Sequence, residues 1–395
     1  MRQRVILLLF FLPILSIHSQ EIPSPKFGKG LFNLVGKDSS WTMNLGARMQ
    51  FLATSNFEDG QSPEHNMLIR RARIKMDGFA FSPKLKYKIE LGLSNRDIGG
   101  ANAFTNNGPR YILDAVIKYN FYENFVIWAG QTKLPGNRER VISSGNMQQV
   151  DRSLLNSRFN IDRDVGIQLR HHIDVADNFV IREVFAFSQG EGRNVTIGNL
   201  GGHQYTGRIE LLPMGNFISK GDYSASDLKR EPKPKLALGV TYDHNNNAVK
   251  TRSNLGSYMI NDDGFYETNI NTWFVDAMFK YRGFSTMIEY ADREASDPVA
   301  KNSDGSETGD IVLIGKGINI QSGYLFKNNL EVSGRYTHNN FDEGITGRAP
   351  ETQYTFGLSK FVVGHKLKVQ TDVSLLQVDG REDQILYRLQ VDLHF

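Results

Sequence analysis

The stretch Trp41-Thr42-Met43-Asn44-Leu45-Gly46-Ala47-Arg48-Met49-Gln50-Phe51-Leu52-Ala53 decides the fold. Its odd positions are Trp, Met, Leu, Ala, Met, Phe and Ala, and its even positions are Thr, Asn, Gly, Arg, Gln and Leu. A strand sends alternate side chains to opposite faces, so one face is apolar and the other largely polar. The end of the chain repeats the pattern: Ile385, Tyr387, Leu389, Val391, Leu393 and Phe395 alternate with Leu386, Arg388, Gln390, Asp392 and His394. No helical period fits either run.

Worked outward from these two segments, period two predicts sixteen strands. The first eight lie near 40–53, 67–80, 84–95, 110–121, 124–133, 164–172, 178–188 and 204–212. The second eight lie near 235–243, 272–282, 283–291, 311–326, 328–337, 352–361, 365–377 and 384–395. Tight turns at Ser82-Pro83, Tyr122-Glu123, Arg282-Gly283, Lys327-Asn328 and Val363-Gly364 alternate with longer polar stretches. Short turns at one end and long loops at the other mark an all-β, transmembrane antiparallel up-and-down β-barrel, with turns on the periplasmic side. A soluble sandwich or propeller also alternates, but no blade repeat is visible and the turn asymmetry is sustained. Residues 213–234 break the rule, being a long polar stretch where a short turn is expected.

The N-terminus has Arg2 and Arg4 before an apolar run from Val5 to Leu15, then small and polar residues, which predicts a secretory signal over 1–19. Residues 20–39 lack clean alternation and are expected to form a flexible periplasmic leader ahead of a barrel over 40–395. Without the signal, 44 Lys and Arg face 43 Asp and Glu, so no global charge points to nucleic acid. The absence of cysteine excludes disulfide stapling and thiolate metal sites. No apolar run beyond the signal is long enough for a spanning helix, while 37 Gly, 25 Phe and 15 Tyr suit a barrel in which every second residue meets lipid. The expected location is a bacterial outer membrane.

Lipid energetics set which face looks inward. Lys84, Lys86 and Lys88 alternate with Leu85, Tyr87 and Ile89, and each base on the lipid face at mid-membrane costs about 2–4 kcal/mol. The lysines therefore face the lumen, as do Arg71, Arg73 and Lys75 on the neighbouring strand, leaving Arg70 to point outward near headgroup level. Along the whole chain this register places sixteen bases against ten acids in the lumen. The candidate pore-lining, anion-binding residues on the wall are Arg48, Arg71, Arg73, Lys75, Lys84, Lys86, Lys88, Lys133, Arg208 and Arg335. The longest connection, 134–163, is a candidate constriction loop and adds Arg138 and Arg140. Basic groups along a pore favour anions, and the guanidinium fork matches carboxylate or phosphate oxygens.

Three segments carry a resemblance. Ile69-Arg70-Arg71-Ala72-Arg73, Gly130-Gln131-Thr132-Lys133-Leu134-Pro135, and Asp151-Arg152-Ser153-Leu154 followed by Arg163-Asp164-Val165-Gly166 resemble the phosphate-selective porin O and P family over about Gly46 to Phe395. The resemblance implies a sixteen-stranded homotrimer that passes small anions, phosphate or polyphosphate, through an arginine ladder and a lysine cluster. On the matched motifs Arg71 would be a ladder residue beside Arg70, and Lys133 would stand at the base of the constriction loop; Arg48 matches more loosely.

Other signals carry less. His171 and His172 face opposite ways on a strand and do not ligate one metal together. Asn302 to Asp310 lacks calcium-loop spacing, and no Ser/His/Asp set can be assembled, so neither a metal, a cofactor nor an enzyme is expected. Two alternatives to an anion channel remain: a general or sugar-selective porin, which calls for a lumenal aromatic row not evident on the polar faces, and a surface receptor or adhesin barrel with little flux.

Overall fold

The computed structural model describes residues 27–176 and 178–395; the predicted signal over 1–19 lies outside them. Sixteen antiparallel strands form the barrel. The first eight are β1 Thr42–Glu58, β2 Glu64–Ala80, β3 Ser82–Gly92, β4 Ile112–Tyr122, β5 Phe125–Lys133, β6 Arg163–Ala176, β7 Phe179–Ser188 and β8 Gln204–Leu212. The rest are β9 Lys235–Ala248, β10 Thr268–Tyr281, β11 Phe284–Ala295, β12 Gly315–Leu325, β13 Leu330–Phe341, β14 Glu351–Phe361, β15 Leu367–Val378 and β16 Gln384–His394. Each pairs with its sequence neighbours, and β1 pairs with β16 from Arg48↔His394 to Glu58↔Gln384, which closes the cylinder. Closure leaves no sheet edge, so every strand satisfies its backbone on both sides. Ahead of the barrel, Phe32–Val35 folds back as a short strand on Thr42–Leu45, beside the part of β1 that β16 does not reach.

The alternation read in the sequence is the alternation of the wall. Met49 and Phe51, Ile167 and Leu169, Phe185 and Phe187, Val240 and Tyr242, and Tyr354 and Phe356 are exposed on the outer surface. Gln50, Gln168, Thr241, Asp276 and Thr355 are buried on the inner one. Tyr122, Phe284, Tyr324 and Phe326 stand exposed beside the short turns, as an aromatic girdle would.

One register shift changes the reading of β2. Gln50 pairs with Arg71 and Phe51 with Ile69, so two residues of β2 oppose one of β1 and Arg70 is the extra residue of a β-bulge. The expectation that Arg70 points outward is corrected: the bulge turns it into the lumen beside Arg71, where its Nη2 lies 2.9 Å from Asp151.

The interior is not an open tube. The connection L3 (134–162) enters from the loop side and carries its own apolar cluster, in which Leu134, Leu155, Phe159 and Ile161 pack on Phe274 and Ala291 of the wall. Burying Phe159, which is 0% exposed, stabilises the loop by roughly 1.5–3 kcal/mol. Residues 213–234 enter from the turn side instead of turning tightly, and Phe217 packs against Val180, Leu212 and Ala237. Both insertions lie towards β8–β15.

Candidate functional site: an arginine-lined passage

L3 is held in place by hydrogen bonds that its sequence supplies. Glu139 is fully buried and accepts from the Ser153 backbone N at 3.0 Å, joining the one-turn helix Arg138–Val141 to the helix Leu154–Phe159. Ser153 caps the second helix by accepting from Asn156 N. Arg293 of β11 donates to the carbonyls of Phe159 and Asn160 at that helix's C-terminus. Lys133 donates to the carbonyls of Arg140 and Ile142 at 2.7 and 3.1 Å. Further along, Gln148 donates to Glu331 and Val150 N to Asp372. Gly323 permits this approach, because a Cβ there would collide with the Gln148 amide.

The 213–234 segment is tied down equally well. Lys280 Nζ donates to the carbonyls of Gly221, Ser224 and Ser226 at 2.7–2.8 Å. Ser226 donates to Glu331, Tyr223 to Glu210, and Ala225 N to the carbonyl of Asn146 on L3. The two insertions therefore meet inside the barrel. Free space remains along the β1–β7 wall, as three cavities that share lining residues.

The outer cavity, about 510 Å³, is lined by eleven bases and three acids. The wall supplies Arg70, Arg71, Arg73, Lys133, Arg163 and Arg388, L3 supplies Arg140 and Arg152, and other loops supply Arg96, Arg193 and Arg252. The acids are Asp97, Asp151 and Asp162. Below it an inner cavity of about 610 Å³ lies between β4–β7 and the 213–234 segment, and a third of about 510 Å³ opens on the turn side. Arg73 lines all three. Its guanidinium is held by Asp97 at 2.6 Å and Glu90 at 2.9 Å.

Charge in the outer cavity is set by crowding. Burial alone would raise the Asp151 carboxyl, but Arg70, Arg71 and Arg388 outweigh it and hold the group well below the usual carboxylate range. Burial likewise opposes ionisation of Asp97, and the bond to Arg73 overcomes it and lowers the group. Burial brings the Arg152 guanidinium down to about 10, still charged at neutral pH.

The structure sorts the residues singled out in the sequence into three groups. Arg71, Arg73, Lys133 and Arg140 line the outer cavity, and Arg48, Lys75 and Lys88 line the turn-side cavity. Several of these are paired: Arg48 with Asp392, Lys75 with Asp77, and Lys88 with Glu90 and Asp114. Lys84 and Lys86 are exposed at the turn-side rim, and line none of these cavities.

Arg138, Arg208 and Arg335 are corrected from pore-lining to buried. Arg138 and Arg208 share Asp276 and Glu210 beneath L3, and Arg335 donates to the carbonyl of Asp151 at 2.8 Å. A buried guanidinium needs carboxylate or carbonyl partners, and the filled side of the lumen supplies them. Sequence reasoning placed Arg388 on the lumen face and Arg152 and Arg163 on the candidate constriction loop without naming them as anion-binding; it turned Arg70 outward and missed Arg96, Arg193 and Arg252, which lie in loops without periodicity. It also missed a lumenal aromatic, Trp128, which lines the inner cavity.

Residues 42–382 match the family model described as phosphate-selective porin O and P. The chain belongs to the phosphate-selective porin O and P family. Among curated proteins none matches the sequence. Solved structures share the fold at low identity. The anion-selective porin from Comamonas acidovorans is 11% identical with a TM-score of 0.54, over 90% of this chain and 100% of its own. Salmonella typhi OmpF in complex with daunomycin is 11% identical with a TM-score of 0.55, over 92% of this chain and 100% of its own. The in-vitro folded OmpT of Vibrio cholerae, described as a trimer form, is 10% identical with a TM-score of 0.54, over 90% of this chain and 100% of its own. The protein is thus a bacterial outer-membrane porin, its exposed apolar wall facing lipid, its long loops outside and its short turns in the periplasm.

Proposed function

We propose that this porin passes small anions by diffusion, with phosphate among its solutes, and that L3 sets the size limit. The observation that carries the reading is the outer cavity, where bases exceed acids by eleven to three on a chain with almost balanced charge. Guanidinium groups spaced along a passage offer successive weak sites, and flux requires sites that release as readily as they bind. Asp151 and Asp97 partly neutralise the cluster and keep it from trapping an anion. Family membership supports phosphate as the solute, and the Comamonas acidovorans structure, an anion-selective porin, supports anion preference. The trimeric form of the Vibrio cholerae protein supports a homotrimer here.

The test is the reversal potential of single channels in a planar bilayer under a chloride gradient, followed by titration with phosphate. Anion selectivity with phosphate block supports the reading. A weakly selective channel indifferent to phosphate overturns the solute assignment, and a barrel without conductance points to a receptor.

A further inference from the structure

The inner cavity differs in kind from the outer one. Its wall carries Trp128, and Lys118 Nζ and Arg170 Cζ each stand 3.8 Å from the centroid of that ring. The two cations come from β4 and β6, the strands on either side of Trp128 on β5. At that distance they cannot share a face of the ring, so the indole is clasped on both faces and presents its edge to the cavity. Among the described residues neither Lys118 nor Arg170 has a carboxylate within salt-bridge distance. Arg170 spends two of its donors on Gln168 and has others left. Around this stack stand Val126, Val141, Val184 and Tyr223, while Glu90, Asp114 and Glu210, which also line the cavity, are held in ion pairs with Arg73, Lys88, Arg163 and Arg208.

We propose that this cavity is a second solute site, selective for organic anions that join a carboxylate to a flat apolar body, such as aromatic monocarboxylates. The inference rests on the anion-conducting reading above. A small inorganic anion gains nothing from an apolar wall, whereas an arylcarboxylate can place its oxygens on one of the two cations, with the other adding to the field from the far face of the indole, and its ring against the valines, Tyr223 and the indole edge. The indole keeps the two like charges apart on opposite faces, so both remain available without an acid to pair them. The position is downstream of the arginine cluster, so such a solute would be drawn in by charge and then retained by shape.

Reversal potentials with chloride, acetate and benzoate in turn test this on the full-length porin. Benzoate should permeate at least as well as acetate despite its bulk. Lys118→Gln and Trp128→Leu should each lower the benzoate-to-acetate ratio on the order of fivefold, the scale of one cation–π contact, with the acetate-to-chloride ratio unchanged. Trp128→Phe keeps a ring on the wall and should lose less, which separates loss of the site from a folding defect. An anion-selective channel that prefers acetate, or variants that leave the benzoate-to-acetate ratio unmoved, overturns the second site alone. A channel that does not select chloride over its counter-cation overturns the anion reading and this site with it.

Discussion

Arg138 of L3 and Asp276 of β10 meet at 2.6 Å with neither side chain reaching solvent. The contact fixes the loop to the wall opposite the passage, and Arg208 and Glu210 complete the cluster. Replacing Arg138 by Met leaves Asp276 to Arg208 alone, while Glu210 keeps Arg208 and, at 3.5 Å, Arg182; removing one partner of a buried ionic cluster costs roughly 3–5 kcal/mol. The variant should unfold at lower temperature in detergent, followed by loss of β-sheet circular dichroism, and its channels should show higher and noisier conductance as L3 leaves the wall.

Arg73 makes the opposite kind of prediction, because it lines all three cavities. Arg73→Gln removes a charge and also releases Asp97 and Glu90 from their partner, so the local field changes by more than the count suggests. One unit charge at roughly 5 Å in water is worth about 0.8 kcal/mol, a factor of about four. The anion-to-cation permeability ratio should fall at least that far, measured from reversal potentials. An unchanged ratio would remove Arg73 from the selectivity mechanism.

Asp151 occupies ground that a phosphate oxygen would take, 2.9 Å from Arg70 and 3.7 Å from Arg71. Asp151→Asn keeps the backbone carbonyl that Arg335 uses and the Val150 N–H that Asp372 accepts, so L3 stays attached. Freed of its internal counter-ion, the arginine pair should hold phosphate more tightly by on the order of 1 kcal/mol, about fivefold in the half-blocking concentration. Maximal current should fall as release slows.

The carboxyls around the outer cavity and the one in the loop after β7 should respond differently to pH. Asp151 and Asp97 have depressed values, so their stabilisation is present above the ordinary carboxylate range of about 4 and is lost only as pH falls through the lowered values. Asp151 and Asp97 should therefore add no pH dependence between 5 and 8. Glu191, in the loop after β7, is raised by burial to about 7, so its favourable protonated state is complete below about 4.5 and is lost as pH rises through 7. Amide exchange at Leu200, whose N–H Glu191 accepts, should quicken above pH 7 beyond the intrinsic rate, and Glu191→Gln should abolish the effect.

What the sequence disclosed and what it withheld follow from range. The inward and outward faces of Trp41–Ala53 are a local property of consecutive residues, and all sixteen strands follow from the same rule. The bulge at Arg70 is not local: it exists only because Gln50 faces two residues across the ladder, and Ile69-Arg70-Arg71-Ala72-Arg73 alternates acceptably in either register. Which bases face water is less local still. Arg208 and Arg73 look alike on their strands, yet one meets L3 and Asp276 and the other meets the passage. The 213–234 segment has no periodicity, because its partners are Lys280, Glu210 and Glu331 scattered over three strands.

A cylinder filled from both ends constrains the order in which it can be built. Arg48 of β1 bonds across the closing pair to Asp392 of β16 and, from the same guanidinium, to Ser144 of L3. The seam is therefore latched from within by a loop that belongs to the middle of the chain. A barrel that zipped shut first would have to thread 213–234 and L3 through its own mouths and exchange water for buried ion pairs one at a time. Wrapping the strands around a half already assembled over its two insertions avoids that, and makes the last strand pair a report that the inside is finished.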